Sequence, residues 1–246
     1  MALLAWDVAA RLPAFALQGP RVLLEWIRPA LVHPPPRGKA PAVVLLHGIL
    51  RGRASMALLA RDFRRAGCMV LNWGYPSTKK GIREHAKDLA RRLEEFLPPG
   101  RGLVLVGHSM GGLVARALLE VSPGLSLERI VQIGTPNQGA LKAALLRETR
   151  LFRRTLGTKA GWELASGPGC LARTLPVPPP GLVHVVAGAK GNGKGWSPLL
   201  PGEDDGTVEL SATALEGAAR EVVSVLHAFL PWDRRVRRKV LNAALG

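Results

Sequence analysis

The chain has 246 residues, of which 47% are hydrophobic, enough for one well-formed core and too few for two large domains. A formal charge of +16 raises the question of a polyanion partner, yet the cations are scattered, and one Tyr and five Phe leave little for stacking nucleobases. Two cysteines, Cys68 and Cys170, make neither a disulfide framework nor a metal or redox motif.

Residues 1–32 are apolar but interrupted by Asp7, Arg11, Pro13, Gly19, Arg21, Glu25 and Arg28, so no stretch approaches the roughly 20 residues that span a bilayer. No basic start leads into an apolar run and a cleavage site, and a cytoplasmic location is the default expectation. A surface-lying membrane association of this segment is the weaker option. Residues 1–40 are therefore read as an N-terminal apolar extension and 41–246 as the principal domain.

After the turn-rich 34–38 stretch, short β-branched runs alternate with longer amphipathic ones. The runs 42–46 (AVVLL), 69–73 (MVLNW), 103–106 (LVLV), 130–133 (IVQI), 182–187 (LVHVVA) and 222–226 (VVSVL) read as buried strands. Helices are expected at 56–66, 82–97 and 110–121. A last helix should carry the basic run 234–239 on its wet face, with Val236, Val240 and Ala244 turned inward. This alternation predicts an α/β fold with a mostly parallel central sheet and helices on both faces. Such sheets carry their sites at the carboxyl ends of the strands.

Residues 137–181 break the rhythm. Leu141, Leu145, Phe152 and Leu156 recur at near-helical spacing among Lys142, Arg147, Arg150, Arg153 and Arg154, and a Gly- and Pro-rich half follows. An insertion this long in a compact domain reads as a small cap or lid over the site.

The strand at 103–106 runs into Gly107, His108, Ser109, Met110, Gly111 and Gly112, and then into a helix. A serine held in a sharp strand-to-helix turn needs neighbours without side chains, and Gly107 and Gly111 supply them. Ser109 is the candidate nucleophile. Its hydroxyl needs a base and a group that orients the base. Downstream histidines are His184, inside a strand, and His227, read as following the strand at 222–226 and so lying at a strand's carboxyl end. His227 is the candidate general base. The acid should come from the loop after the preceding strand, where Asp205 before Gly206 is preferred and Asp204 is the alternative; the unchosen carboxylates read as an ordinary solvated loop. Backbone amides of Met110 and of Ile49, in the loop His47, Gly48, Ile49, Leu50, are the expected oxyanion donors. Gly48 should allow that loop an unusual turn, with the Ile49 and Met110 side chains lining an apolar pocket. His47 is assigned a structural role.

Through LLHGIL (45–50), VGHSMGG (106–112), IGTPNQGA (133–140), DGTV (205–208) and LHAFL (226–230), the chain resembles bacterial lipases and esterases of the α/β-hydrolase superfamily. The resemblance implies Ser109, Asp205 and His227 as a triad and Ile49 and Met110 as oxyanion donors. It also implies hydrolysis of a small-molecule or lipid carboxylic ester without a metal or other cofactor. TPNQGA is similar to a TPH-x-G segment of lipases, with Asn137 where many have His, a departure that bears on lipid preference rather than on the chemistry. WGYPST (73–78) resembles short members of the superfamily with no agreed substrate. The alternatives are an acyltransferase or thioesterase using the same residues, or a non-catalytic binder using the basic surface. No nucleic-acid partner is expected, and the basic surface admits peripheral association with an anionic membrane.

Overall fold

The computed structural model describes residues 40–156 and 159–246, so the expectations for the N-terminal extension and the 34–38 turn lie outside the described residues. Six strands form one sheet: β1 (Ala42–Leu46), β2 (Met69–Trp73), β3 (Leu103–His108), β4 (Leu127–Ile133), β5 (Val183–Gly188) and β6 (Ala219–Val223). Their order across the sheet is β2-β1-β3-β4-β5-β6, and every pairing is parallel.

The apolar runs are continuous because both faces of the sheet are covered. Along β1, Ala42, Val44 and Leu46 enter one core while Val43 and Leu45 enter the other; along β3, Leu103 and Leu105 alternate with Val104 and Val106 in the same way. The first core is closed by α2 (Ile82–Phe96), through Ile82, Ala86, Leu89, Leu93 and Phe96, and by α3 (Met110–Val121). The second is closed by α1 (Ala57–Arg65), through Leu59, Ala60 and Phe63, and by the C-terminal helix, through Val236, Val240 and Ala244. The sequence periodicity had placed those three C-terminal side chains inward. Three cations of this helix are paired with acids, Arg235 with Asp233, Arg237 with Asp62 and Lys239 with Glu221.

One strand departs from its expected position. The apolar run 222–226 marks the end of β6 and the turn beyond it, and the strand itself lies three residues earlier. Of the two edge strands, β6 is far less covered than β2, so Ala219 and Arg220 are exposed and Val222 remains 47% exposed. Apolar content therefore marks this strand poorly. His227 does not follow the strand directly but sits four residues past it, at the start of a 3-10 turn, His227–Phe229.

The 137–181 segment contains four short helices: α4 (Leu141–Leu146), α5 (Arg150–Leu156), α6 (Ala160–Glu163) and α7 (Leu171–Thr174). Its halves differ. Ala160, Leu164, Cys170, Ala172 and Leu175 of the second half belong to the first core, whereas α4 and α5 stand over the carboxyl ends of the strands and wall the cavity described below. The C-terminal helix becomes α8 (Arg234–Leu245); its first amides, on Arg235 and Val236, are capped by the Asp233 carboxylate at 2.8 and 3.2 Å. Cys68 and Cys170 are both buried, free thiols. Among the described residues, no helix is long and apolar enough to cross a membrane.

Candidate active site

β3 delivers Ser109 into a turn with φ 54° and ψ −121°, a left-handed conformation that a residue with a side chain adopts only where its surroundings impose it. The turn is held by the Ser109 amide donating to Ile133 O at 2.8 Å, and by Gly112 N and Thr135 Oγ1, both donating to Ser109 O at 3.0 Å. A Cβ on Gly107 would lie 2.4 Å from Gly112 N, and one on Gly111 would lie 2.3 Å from Leu46 O and 2.9 Å from His47 O. Strand, turn and helix can approach this closely only because both positions are glycine. Gly111→Ala is expected to cost roughly 3 kcal/mol or more, because the obstacle is backbone that cannot rotate away. A thermal midpoint within a degree of the unmodified protein would contradict this packing argument.

Asp205 and His227 arrive from the loops after β5 and β6. His227 Nδ1 lies 2.7 Å from Asp205 Oδ2, and the His227 amide donates to Asp205 O at 2.8 Å, so ring and backbone are both fixed to the aspartate. The other carboxylate oxygen, Oδ1, accepts from Thr207 N at 3.0 Å and Val208 N at 2.8 Å. With Nδ1 engaged, the remaining ring nitrogen of His227 is Nε2. Ser109 and His227 line the same cavity.

Asp204 is turned away from this assembly. It is fully buried, and its carboxylate accepts from the amides of Trp196, Ser197 and Gly206, which corrects the expectation of an ordinary solvated loop at this position. Glu203 does similar work at the surface, accepting from Gly191 N and Gly193 N. These hydrogen bonds hold its carboxyl below the usual range. Two neighbouring carboxylates thus organise the loop that presents Asp205.

The loop carrying Ile49 runs against the nucleophile. Gly48 is needed for closeness: its Cβ would lie 3.1 Å from Ser109 Cβ. The unusual turn expected of this loop includes a positive φ of 58° at Leu50. Ile49 lines the cavity, but the Met110 side chain does not; it is fully buried in the first core, because the first turn of α3 faces the sheet. The amide of Met110 directly follows Ser109 at the start of α3.

His47 is fully buried and neutral. Its Nδ1–H donates to Gly48 O at 2.9 Å, its Nε2 accepts from Tyr75 N at 3.3 Å, and its ring stacks on Tyr75 at 4.2 Å. Burial lowers its pKa from the ordinary 6.5 to about 4. His108 is buried and shifted well downward for the same reason, and its Nε2–H donates to His227 O at 3.1 Å. Because the folded state resists protonation that the unfolded chain accepts, stability is unaffected above pH 6.5 and is lost as the pH falls from there toward 4. His47 alone accounts for up to about 3 kcal/mol of that loss. Urea titrations should show a smaller loss between pH 7 and pH 4.5 in His47→Gln than in the unmodified protein. Equal losses would assign the acid sensitivity elsewhere.

A buried network below the nucleophile was not anticipated. Arg116 of α3 is 2% exposed and donates to Asn137 Oδ1 and to the carbonyls of Ala172, Leu175 and Pro176 at 3.1–3.2 Å. Desolvation lowers its pKa to about 10, so it stays charged at neutral pH. The Asn137 amide group donates in turn to Gln132 Oε1 at 2.7 Å and Thr213 O at 3.0 Å. Asn137 therefore joins α3, β4 and the 137–181 segment from inside the core and is not among the cavity-lining residues. The signal in the sequence was Arg116 set among Leu113, Val114, Ala115, Ala117 and Leu118.

The cavity above Ser109 has a volume of about 360 Å³. Its apolar lining includes Ile49 and Leu50, Leu146, Phe152 and Leu156 of α4 and α5, and Leu164, Leu199 and Val208. Among the described residues, no cluster of three or more His, Cys, Asp or Glu side chains is placed to hold a metal ion.

Comparison with known proteins places this geometry in context. The model of a family described as the alpha/beta hydrolase family matches residues 43–243. A lysosomal thioesterase PPT2 homolog of Drosophila melanogaster is 30% identical over 130 residues, covering 50% of this chain and 43% of that protein, so the chain matches less than half the length of this relative. Among solved structures, the mature form of the Bacillus licheniformis lipase BlEst2 superposes with a TM-score of 0.64 at 22% identity, over 89% of this chain and 96% of that one. YbtT, a type II thioesterase from the yersiniabactin biosynthetic pathway, superposes with a TM-score of 0.55 at 18% identity, over 87% and 96%.

Proposed function

The chain belongs to the alpha/beta hydrolase family, and from that premise we propose that it is a serine hydrolase that cleaves carboxylic esters of apolar acids through an acyl-enzyme on Ser109. The observation that carries this reading is the 2.7 Å bond from His227 to a buried Asp205, beside a serine held at positive φ on the wall of the same apolar cavity.

In the proposed reaction His227 Nε2 accepts the Ser109 proton as Oγ attacks the substrate carbonyl. Asp205 keeps the imidazole in the tautomer that leaves Nε2 free and then stabilises the imidazolium. The amides of Ile49 and Met110 donate to the oxyanion. Collapse breaks the bond to the leaving group, which departs with the proton from His227, and the acyl group stays on Oγ. Water then repeats the attack, giving its proton to His227, and releases the acid and the free serine. The apolar wall supplied by Leu146, Phe152 and Leu156 suits the hydrocarbon of the acyl group.

Thioester cleavage is the second reading, supported by the thioesterase among the sequence relatives. The same residues would serve it, because only the leaving atom changes. An acyltransferase would need another alcohol in place of water. A purely binding protein would have no use for the Asp205–His227 pair beside Ser109.

The test is incubation with nitrophenyl esters of graded acyl length and with a fluorophosphonate probe. Turnover of at least one ester together with a covalent adduct on Ser109 is expected. A protein that turns over no ester and takes no label is not a serine hydrolase.

A further inference from the structure

Two cations enter the largely apolar active-site cavity. Of its lining residues among those described, only Arg51 and Lys142 carry a fixed charge, and both are positive. Both are half-buried and come from separate elements, Arg51 from the loop that presents Ile49 and Lys142 from α4. They lie toward solvent. Leu50, Leu151 and Leu199 line the cavity and are 36–45% exposed, which marks them as its open rim, and Arg51 adjoins Leu50.

The helices above this rim extend the same field. Residues 140–156 contain five Lys or Arg and the single acid Glu148, and Arg150 and Arg154 are exposed on the helix whose Leu151, Phe152 and Leu156 line the cavity. Lys142 Nζ spends one of its three protons on Gly206 O at 2.8 Å, which fixes the ammonium beside the Asp205 loop and leaves two donors. The Arg51 guanidinium lies over the Trp232 ring, 5.7 Å from its centre.

A hydrocarbon acyl chain gains nothing from a cation, and a half-buried cation loses hydration beside it. The charges therefore suit the other half of the substrate. We propose that Arg51 and Lys142 recognise a negatively charged, phosphate-bearing leaving group on the acyl substrate, while the apolar wall holds the acyl chain. This rests on the serine hydrolase reading above and specifies the substrate class of that site. A phosphate fits both partners, since a planar guanidinium can bind two of its oxygens and an ammonium can meet a third as a point charge. The acyl transfer is unchanged: the carbonyl bond to oxygen or sulfur breaks, the phosphate-bearing alcohol or thiol leaves with the His227 proton, and water releases the acid.

Such a group can come from a soluble phosphorylated thiol or from an anionic lipid headgroup, and the assay has an arm for each. Octanoyl-coenzyme A is compared with the neutral octanoyl thioester of N-acetylcysteamine, and dioctanoyl phosphatidylglycerol is compared with dioctanoylglycerol, which lacks the phosphate, both in neutral detergent micelles. The unmodified protein is expected to prefer the anionic member of at least one pair in kcat/KM, and the preference should weaken as ionic strength rises. In Arg51→Met and in Lys142→Met the ratio of anionic to neutral kcat/KM should fall about tenfold, and in the double variant roughly a hundredfold, as expected for the loss of charge-assisted hydrogen bonds. A preference confined to coenzyme A assigns the soluble source, and one confined to phosphatidylglycerol assigns the lipid.

The ratio is read within each variant, so a general loss of activity from a disturbed α4 does not mimic the effect, and the salt dependence needs no variant at all. Absence of any preference, or a preference that survives in the double variant, overturns the proposal while turnover of the neutral thioester preserves the hydrolase reading. If nothing is turned over and no fluorophosphonate adduct forms, that reading fails and this one fails with it.

Discussion

Ser109→Ala is expected to lower kcat for ester hydrolysis by roughly a millionfold and to abolish fluorophosphonate labelling, with the fold intact. The size of the effect follows from what the hydroxyl does: without it no acyl-enzyme forms, and the remaining groups can only polarise a carbonyl toward bulk water. The fold should survive because alanine keeps the Cβ that already tolerates φ 54°, and because the bonds that hold the turn use backbone atoms of residue 109. Intact-protein mass spectrometry after labelling, together with a circular dichroism melt, separates the two effects. A variant that labels and turns over like the unmodified protein would remove Ser109 from the chemistry.

The second large effect concerns the two adjacent aspartates, whose substitutions should fail in different ways. Asp205→Asn is expected to reduce kcat by about four orders of magnitude with little change in stability. The amides of Thr207 and Val208 donate to Oδ1, so an asparagine will keep its carbonyl oxygen there and turn its NH2 toward His227. Nδ1 must then accept a hydrogen bond, the proton moves to Nε2, and the base is held in the wrong tautomer. Asp204→Asn should do the opposite. It loses the charge that receives the amides of Trp196, Ser197 and Gly206, at a cost of about 1–3 kcal/mol, while the Asp205–His227 bond stays formed and kcat on the folded protein falls much less. Urea midpoints and kcat measured on the same preparations decide between them. A larger fall in kcat at 204 than at 205 would move the orienting acid to Asp204.

Those two residues mark the boundary between local and long-range information in this chain. The turn at Ser109 was legible because its signature is local: a strained serine between a strand and a helix needs glycines at 107 and 111, even though the backbone that Gly111 makes room for, Leu46 O and His47 O, lies at the end of β1. The alternation of apolar runs revealed a parallel sheet because a strand covered on both faces has no polar side to hide the pattern. At β6, the less covered of the two edge strands, that condition lapses, and the apolar run drifted three residues past the strand.

Which of two neighbouring carboxylates meets His227 is not written in the residues around them. It depends on amides from Trp196 and Ser197, which meet Asp204, and on a histidine 22 residues downstream, which meets Asp205. The buried Arg116 is a similar case, for its acceptors at Asn137, Ala172, Leu175 and Pro176 are brought together only when the second half of the 137–181 segment packs into the core. That packing also divided a segment of seemingly uniform role into a cavity wall and a piece of core. Steric demands between neighbours can be read from neighbours; the direction of a charged side chain is settled by donors that folding gathers from distant parts of the chain.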